Sequence, residues 1–395
     1  MNPKLRLLHL LAAFPLGLII AIISFSGAML ALEDSLTPLL QPKQTKVEQV
    51  LTAQKPAADI VASVQRAIPD SFSVTSITYA NDPQATVRVG YSESRRSAMV
   101  ADPYTAQVVG KQERHPFFMT MFRLHRWLLD KPGGLGNQIV GASVVLFIIA
   151  LLSGLVIWWP KTWSTFRKKA RIVTGRGRHP FFYSLHGAGG FFASIFLLLL
   201  ALTGLTWTYA PYKKAFYGVF GLEAPQRGGA PAGKDKAKGG RPDGKPEGKP
   251  AEARGQRPEG GENRGQGRGE QDARTLNTAQ WQAVLAQLQQ KHPNWNEITL
   301  EDGKASVKDI SVGNTYGSER YEFDAATGAI TKHSPASDTP ANVRLNGWIH
   351  VLHMGTFAGA ASRYLWFVIG LIGTALPLTG YYLYYKRRSR RKKPA

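Results

Sequence analysis

The sequence predicts a membrane protein: a four-helix transmembrane bundle with two α+β modules on one side, arranged as a tandem duplication. Three observations predict it. Four apolar stretches are each long enough for a hydrocarbon core of about 30 Å, which needs roughly 20 residues of helix. Basic residues cluster on one side of a four-span path, and one pattern of helix, strands and Leu-His segment occurs twice. The mean hydropathy of −0.18 conceals this, because charged connections dilute the apolar stretches.

Residues 1–32 hold the first span, apolar from Leu5 to Leu32. Lys4 and Arg6 precede it as in a signal peptide, but the apolar run is too long and no small-residue cleavage site follows, so it reads as a retained signal anchor. Residues 33–113 form the first module: "VEQVLTAQKPAADIVASVQRAIPD" has helical periodicity and is followed by the alternating runs "SFSVTSITYA", "ATVRVGYS" and "SAMVADPYTAQVVGKQ". A Leu-His helix occupies 114–136, and the second span 137–160 is apolar from Gln138 to Trp159. A basic loop (161–185) leads to the third span (186–210). Residues 211–273 are a Gly-rich linker with too few apolar side chains to offset chain entropy, expected to be disordered. The second module, 274–340, repeats the first: "LNTAQWQAVLAQLQQKHPNW", then "EITLEDG", "ASVKDISVG" and "RYEFDAATGAITKH". A second Leu-His segment (341–363), the fourth span (364–386) and a basic tail (387–395) complete the chain.

The hairpin turns Asp102-Pro-Tyr-Thr-Ala and Asp324-Ala-Ala-Thr-Gly occupy matching places in the modules, with Asp where its side chain caps a turn. The net charge of +22 is distributed for a membrane, not for nucleic acid. Lys161, Arg167, Lys168, Lys169, Arg171, Arg176 and Arg178 lie between spans two and three with no acid among them, and seven Lys or Arg run from Lys386, at the end of span four, to Lys393. The positive-inside rule then puts both termini and the 161–185 loop in the cytoplasm, with 33–136 and 211–363 facing outward, into a periplasm. The lack of cysteine excludes disulfides and thiolate metal sites.

The spans carry a fourfold signal. Leu8-His9 precedes Ser26-Gly27, Leu124-His125 precedes Ser153-Gly154, Leu185-His186 precedes Thr203-Gly204, and Leu352-His353 precedes Thr379-Gly380. The His-to-Gly separations of 18, 29, 18 and 27 residues alternate with span direction, which places two histidines at each membrane face. An ionisable side chain in a span is costly and faces protein, water or a ligand. With no Cys and no Glu-x-x-His motif, zinc-hydrolase and di-iron chemistries lack their donors. Neutral imidazole suits haem iron, whose axial ligands come from opposite faces of the macrocycle. His9 then pairs with His186 inside, and His125 with His353 outside.

Two copies of RHPFF, from Arg114 and Arg178, each lead into a Leu-His segment. The pattern predicts a histidine cap, Pro at the first helical position and two Phe at an interface. A stripe through Phe118, Met121, Phe122, His125 and Leu129 puts the first ligand on an apolar face. His115 and His179 read as caps or surface groups, with His179 an alternative to His186 on the same face. His350 lies three residues before His353, and the Leu-His-x-Gly context favours His353; His350 is either the alternative ligand or a propionate partner. Arg126, Arg344 and Arg363 outside, and Arg6 inside, are candidate propionate partners or snorkelling side chains. His292 and His333, in the soluble regions, are assigned nothing.

The Leu-His and (Ser/Thr)-Gly spans, the Asp-x-x-Thr-Gly hairpin and the outward α+β modules resemble the PepSY-associated transmembrane family. Within it the chain most resembles the FoxB-type ferric-siderophore reductases. The likeness covers nearly the whole chain outside the Gly-rich linker; Ala106 departs from it where the first module would have the turn glycine. It implies PepSY-like modules, two non-covalent b-type haems, and electron transfer across a bacterial inner membrane to ferric siderophores in the periplasm. Membrane lipid is the surrounding partner, and a cytoplasmic reductant or the quinol pool is the donor, since no Gly-rich dinucleotide fingerprint is present. A non-catalytic peptide-binding or protease-restraining module, and a haem subunit of another reductase, are the alternative readings.

Overall fold

The computed structural model describes residues 3–94, 97–225, 276–309 and 317–391. Most of the expected Gly-rich linker and residues 392–395 of the tail lie outside the described residues. In chain order the helices and strands are α1 (Pro3–Ala13), α2 (Gly17–Ala31), α3 (Glu33–Leu40), α4 (Pro42–Thr45) and α5 (Ala57–Ala67), then β1 (Val74–Ala80), β2 (Val87–Tyr91), β3 (Ala98–Ala101) and β4 (Val108–Lys111). They continue with α6 (Pro116–Trp127), α7 (Leu135–Trp158), α8 (Trp163–Lys169), α9 (Arg178–Ser184), a π turn (Leu185–Gly189), α10 (Gly190–Leu205), α11 (Ala210–Val219) and α12 (Trp281–Lys291). The chain ends with β5 (Trp295–Glu301), β6 (Lys304–Asp309), β7 (Glu319–Phe323), β8 (Ile330–Ser334), α13 (Ala341–Met354) and α14 (Gly359–Arg391).

Three helical stretches are long and apolar enough to cross a membrane: Leu135–Trp158, Arg178–Leu205 and Gly359–Ser389. The expected first span is broken: α1 and α2 meet at 61°, and only as a bent pair do they make a fourth. Pro15 lies in the break and has no N–H to continue a helix. The hydroxyl of Tyr381 on α14 donates to the Phe14 carbonyl at 2.7 Å. A Cβ on Gly17 would stand 2.6 Å from that hydroxyl, so the glycine permits the approach.

The two expected modules are not separate. Their strands form one antiparallel eight-stranded sheet in the order β4-β3-β2-β1-β5-β6-β7-β8. The join is β1 against β5, with Ile77 opposite Leu300 and Tyr79 opposite Ile298, and the hydroxyls of Thr78 and Thr299 are 3.0 Å apart. The physical reason is edge satisfaction: each meander alone would leave its first strand with a row of unpaired N–H and C=O groups. One core lies on one face, where Ile60 and Val64 of α5 and Trp281, Leu285 and Leu288 of α12 cover Ile77, Val89, Ile298 and Leu300.

Other expectations are corrected in detail. The helix expected from Val47 begins only at Ala57, because residues 46–55 run along the sheet: Lys46 bridges Ala85, Val47 N–H bonds Gln84, and Lys55 N–H bonds Pro103. The start of the expected linker is helical, since α11 buries Tyr217 and hydrogen-bonds it to Asn346. The basic loop contains α8, capped by Thr162, and α14 runs on through the basic residues to Arg391. Both Asp turns form: Asp102 Oδ1 accepts from the Tyr104 amide at 2.7 Å, and Asp324 Oδ1 from Ala326 and Thr327 at 2.9 and 2.8 Å. Gly328 is left-handed at φ 72°, and Ala106 adopts the same conformation at φ 58° without the glycine's freedom.

Candidate functional site

The four histidines share one local construction. Each imidazole enters a slot on a different helix, made by a glycine, the hydroxyl residue before it and the carbonyl four residues before the glycine. His9 Nδ1 lies 3.0 Å from the Ala150 carbonyl and 3.1 Å from Ser153 Oγ, beside Gly154. His186 Nδ1 lies 3.1 Å from the Leu376 carbonyl and 2.9 Å from Thr379 Oγ1, beside Gly380. His125 Nδ1 meets the Ile23 carbonyl at 2.8 Å beside Gly27, and His353 Nδ1 meets Thr203 Oγ1 at 2.9 Å beside Gly204.

The glycines are required by close approach. A Cβ would stand 2.9 Å from His125 Cε1 at Gly27, 3.1 Å from His353 Cε1 at Gly204, 3.2 Å from His9 Cε1 at Gly154, and 3.4 Å from His186 Cε1 at Gly380. Sequence reasoning found these glycines but linked each to the histidine preceding it in sequence. The structure seats each histidine on another helix instead, which the sequence could reveal only through the shared (Ser/Thr)-Gly spacing.

The slots bring the imidazoles together in two pairs. The His9 and His186 ring centroids are 6.3 Å apart with planes at 84°. Those of His125 and His353 are 6.2 Å apart with planes at 56°. For His9, His125 and His186 a carbonyl can only accept, so Nδ1 carries the proton and Nε2 keeps a free lone pair. Burial pushes His125 and His353 below the ordinary histidine range; for His353 the neighbouring His125 and His350 act the same way, and the Arg126 cation adds to the effect at both. Among the described residues there is no group of three or more His, Asp or Glu side chains able to hold a metal ion.

The remaining predicted residues separate clearly. The ring facing His125 is His353; His350 stands edge-on to Trp207, with centroids 5.1 Å apart. Trp207 also meets His353 edge-on at 4.9 Å. Arg126 lies over Phe122 and Trp127, and its charge reaches His350. Arg363 is engaged by Asp34 at 2.6 Å, while Arg6 and Arg344 are exposed.

The two RHPFF copies also differ. His115 caps α6, accepting from the Phe117 amide at 3.3 Å, and Arg114 makes a two-pronged ion pair with Glu33. His179 is no cap: it lies inside α9, whose N-cap is Gly177 at φ 90°, and its Nδ1 is buried without a hydrogen-bond partner. Leu129 departs from the expected stripe because Leu128 and Leu129 both turn left-handed after α6. His292 and His333, left unassigned, flank Tyr321: His292 Nε2 is 2.7 Å from its hydroxyl, and His333 stacks on its ring at 4.5 Å while meeting Glu319 at 2.6 Å.

A family model described as the PepSY-associated TM region matches residues 6–387, nearly the whole chain. The chain belongs to that family. No curated protein matches it.

Proposed function

We propose that this member of the PepSY-associated transmembrane family holds two b-type haems, one between His9 and His186 and one between His125 and His353, and passes electrons across the membrane to ferric siderophores. One observation carries the reading: the spacing of the two imidazole pairs. A metal–imidazole bond of about 2.0 Å, with the ring centre about 1.1 Å beyond the nitrogen, separates two axial rings by about 6.2 Å. The pairs stand at 6.3 and 6.2 Å.

Bound haem supplies a one-electron ferric/ferrous couple. The chain's part is to present neutral imidazoles in pairs, keep water away and hold the two sites apart. On α10, Leu197 lies between His186 and Gly204, and it packs with Leu151, Ile369, Phe147 and Phe196 into an apolar cluster that offers no competing donor. Arg126 and His350, beside the second pair, are suited to carboxylate groups at the rim of the macrocycle.

Basic residues at both termini and around α8 favour an arrangement with those parts in the cytoplasm of a bacterial inner membrane. His9–His186 is then the inner pair and His125–His353 the outer, and the sheet faces the periplasm. A cytoplasmic or quinol donor loads the inner site, and the acceptor is met outside. Ferric siderophores suit that role, because reduction weakens the hold of hard oxygen donors on iron, and the sequence resemblance points the same way.

The test is a haem assay and absorption spectrum of the purified protein, followed by anaerobic reoxidation of the dithionite-reduced form. The expected result is about two non-covalent haems per chain, with ferric siderophore reoxidising them and ferrous iron appearing in a ferrozine trap. No haem despite adequate supply ends the electron-transfer reading in favour of a non-catalytic module. Haem that stays reduced under excess ferric siderophore while reacting with another acceptor removes the siderophore.

A further inference from the structure

Four buried hydroxyl side chains hold equivalent positions, each one residue before a slot glycine: Ser26, Ser153, Thr203 and Thr379. Their hydrogen bonds are not equivalent. A hydroxyl has one proton to give and lone pairs to receive with. Thr203 Oγ1 gives its proton to the Leu199 carbonyl at 2.6 Å, so at 2.9 Å from His353 Nδ1 it can only accept. Thr379 donates to the Ala375 carbonyl at 2.7 Å and receives His186 Nδ1 at 2.9 Å. Ser153 donates to the Ala150 carbonyl at 3.1 Å and receives His9 Nδ1 at 3.1 Å. Ser26 turns to the Ile22 and Ile23 carbonyls at 2.8 and 3.0 Å, while His125 Nδ1 goes directly to the Ile23 carbonyl at 2.8 Å.

We infer that Thr203, Thr379 and Ser153 are positioning residues that hold the Nδ1 protons of His353, His186 and His9, fix the tautomer that leaves Nε2 bare, and tune the sites they serve, whereas Ser26 is a packing residue without this role. The inference rests on the haem reading above. An acceptor on Nδ1–H raises the basicity of the imidazole as a ligand and fixes its orientation. A more basic axial ligand favours ferric iron, so removing the acceptor raises the midpoint potential and loosens the group. Thr203, Thr379 and Ser153 are comparable in this respect, because His353, His186 and His9 each meet a hydroxyl and also reach a carbonyl, of Leu200, Leu376 and Ala150.

The experiment is a spectroelectrochemical titration of the haem-loaded protein, paired with transfer of haem to apomyoglobin. The variants are Thr203→Val, Thr203→Ser, Thr379→Val, Ser153→Ala and Ser26→Ala. Thr203→Val is expected to raise the outer potential and weaken haem retention by about 10-fold or more. Thr203→Ser restores both values. Thr379→Val and Ser153→Ala raise only the inner potential, and Ser26→Ala moves neither. The inference is overturned if the potentials stay put in all the valine and alanine variants, if Thr203→Ser fails to rescue, or if Ser26→Ala shifts the outer site as much as Thr203→Val. Wild-type protein without haem removes the underlying reading as well; wild type with two haems and unmoved variants removes this inference alone.

Discussion

The His9–His186 pair, inner in the proposed topology, and the His125–His353 pair, outer in it, have nearly the same spacing but are reached by different backbone routes. At the inner pair, His9 sits on a helix bent 61° from the next, and His186 sits in a π turn between α9 and α10. At the outer pair, His125 and His353 lie near the ends of α6 and α13, which stop at left-handed residues, Leu128 at φ 51° and Gly355 at φ 70°. The polar surroundings differ as well, since His350 and Arg126 lie only near the outer pair. What is kept is the slot, and what varies is the route by which a helix delivers a ring to it. A slot of glycine, hydroxyl and carbonyl constrains the imidazole closely enough that helix breaks, π turns and helix ends can all serve it.

The largest expected effect tests whether the pairs are independent. His9→Ala or His186→Ala should remove the inner haem, and His125→Ala or His353→Ala the outer, each leaving about half the haem absorbance. Electron paramagnetic resonance can say which is lost: the nearly perpendicular inner rings, at 84°, should give the more anisotropic low-spin signal, and the outer rings at 56° the more rhombic one. Loss of the same signal from His9→Ala and His125→Ala would break the pairing.

A smaller, graded effect sharpens the contrast. Alanine at the slot glycines should reduce haem content in the order Gly27, Gly204, Gly154, Gly380, following the 2.9, 3.1, 3.2 and 3.4 Å approaches of the added Cβ. The outer slots are thus the less tolerant; equal loss at all four positions would mean that ring contact is not what the glycines provide.

The smallest effect concerns the sheet halves, and thermal unfolding of the sheet measures it. Ala106→Gly should stabilise by about 1 kcal/mol by relieving a left-handed alanine, and Gly328→Ala should destabilise by a similar or larger amount. Gly328 has a further reason to cost more, since its added Cβ would meet Gln280 at 3.2 Å.

Sequence legibility followed the range of each interaction. The apolar stretches, the Asp turns and the His115 cap depend on neighbours along the chain, and each could be read there. The β1–β5 join could not, because alternation specifies a strand and its faces but not its partner across more than two hundred residues. The break at Pro15 was masked by apolar residues on both sides, which make a continuous run whether the helix is straight or bent. His179 misled because its motif matches the first copy while its backbone position does not. Which glycine receives which histidine is a statement about two helices at once, and hydrophobic periodicity describes one at a time.

Every slot joins elements within the same half of the chain: α1 to α7, α6 to α2, the π turn to α14, and α13 to α10. Each facing pair, by contrast, takes one imidazole from each half. That division sets an order of assembly. During synthesis the first half can complete its own slots as soon as α7 has emerged, and the second half can do so when α14 follows. Neither pair exists until the halves meet. On the proposed haem reading, cofactor capture is then a closing step, and a chain cut between the halves should acquire a haem spectrum when the two pieces are made together in one membrane.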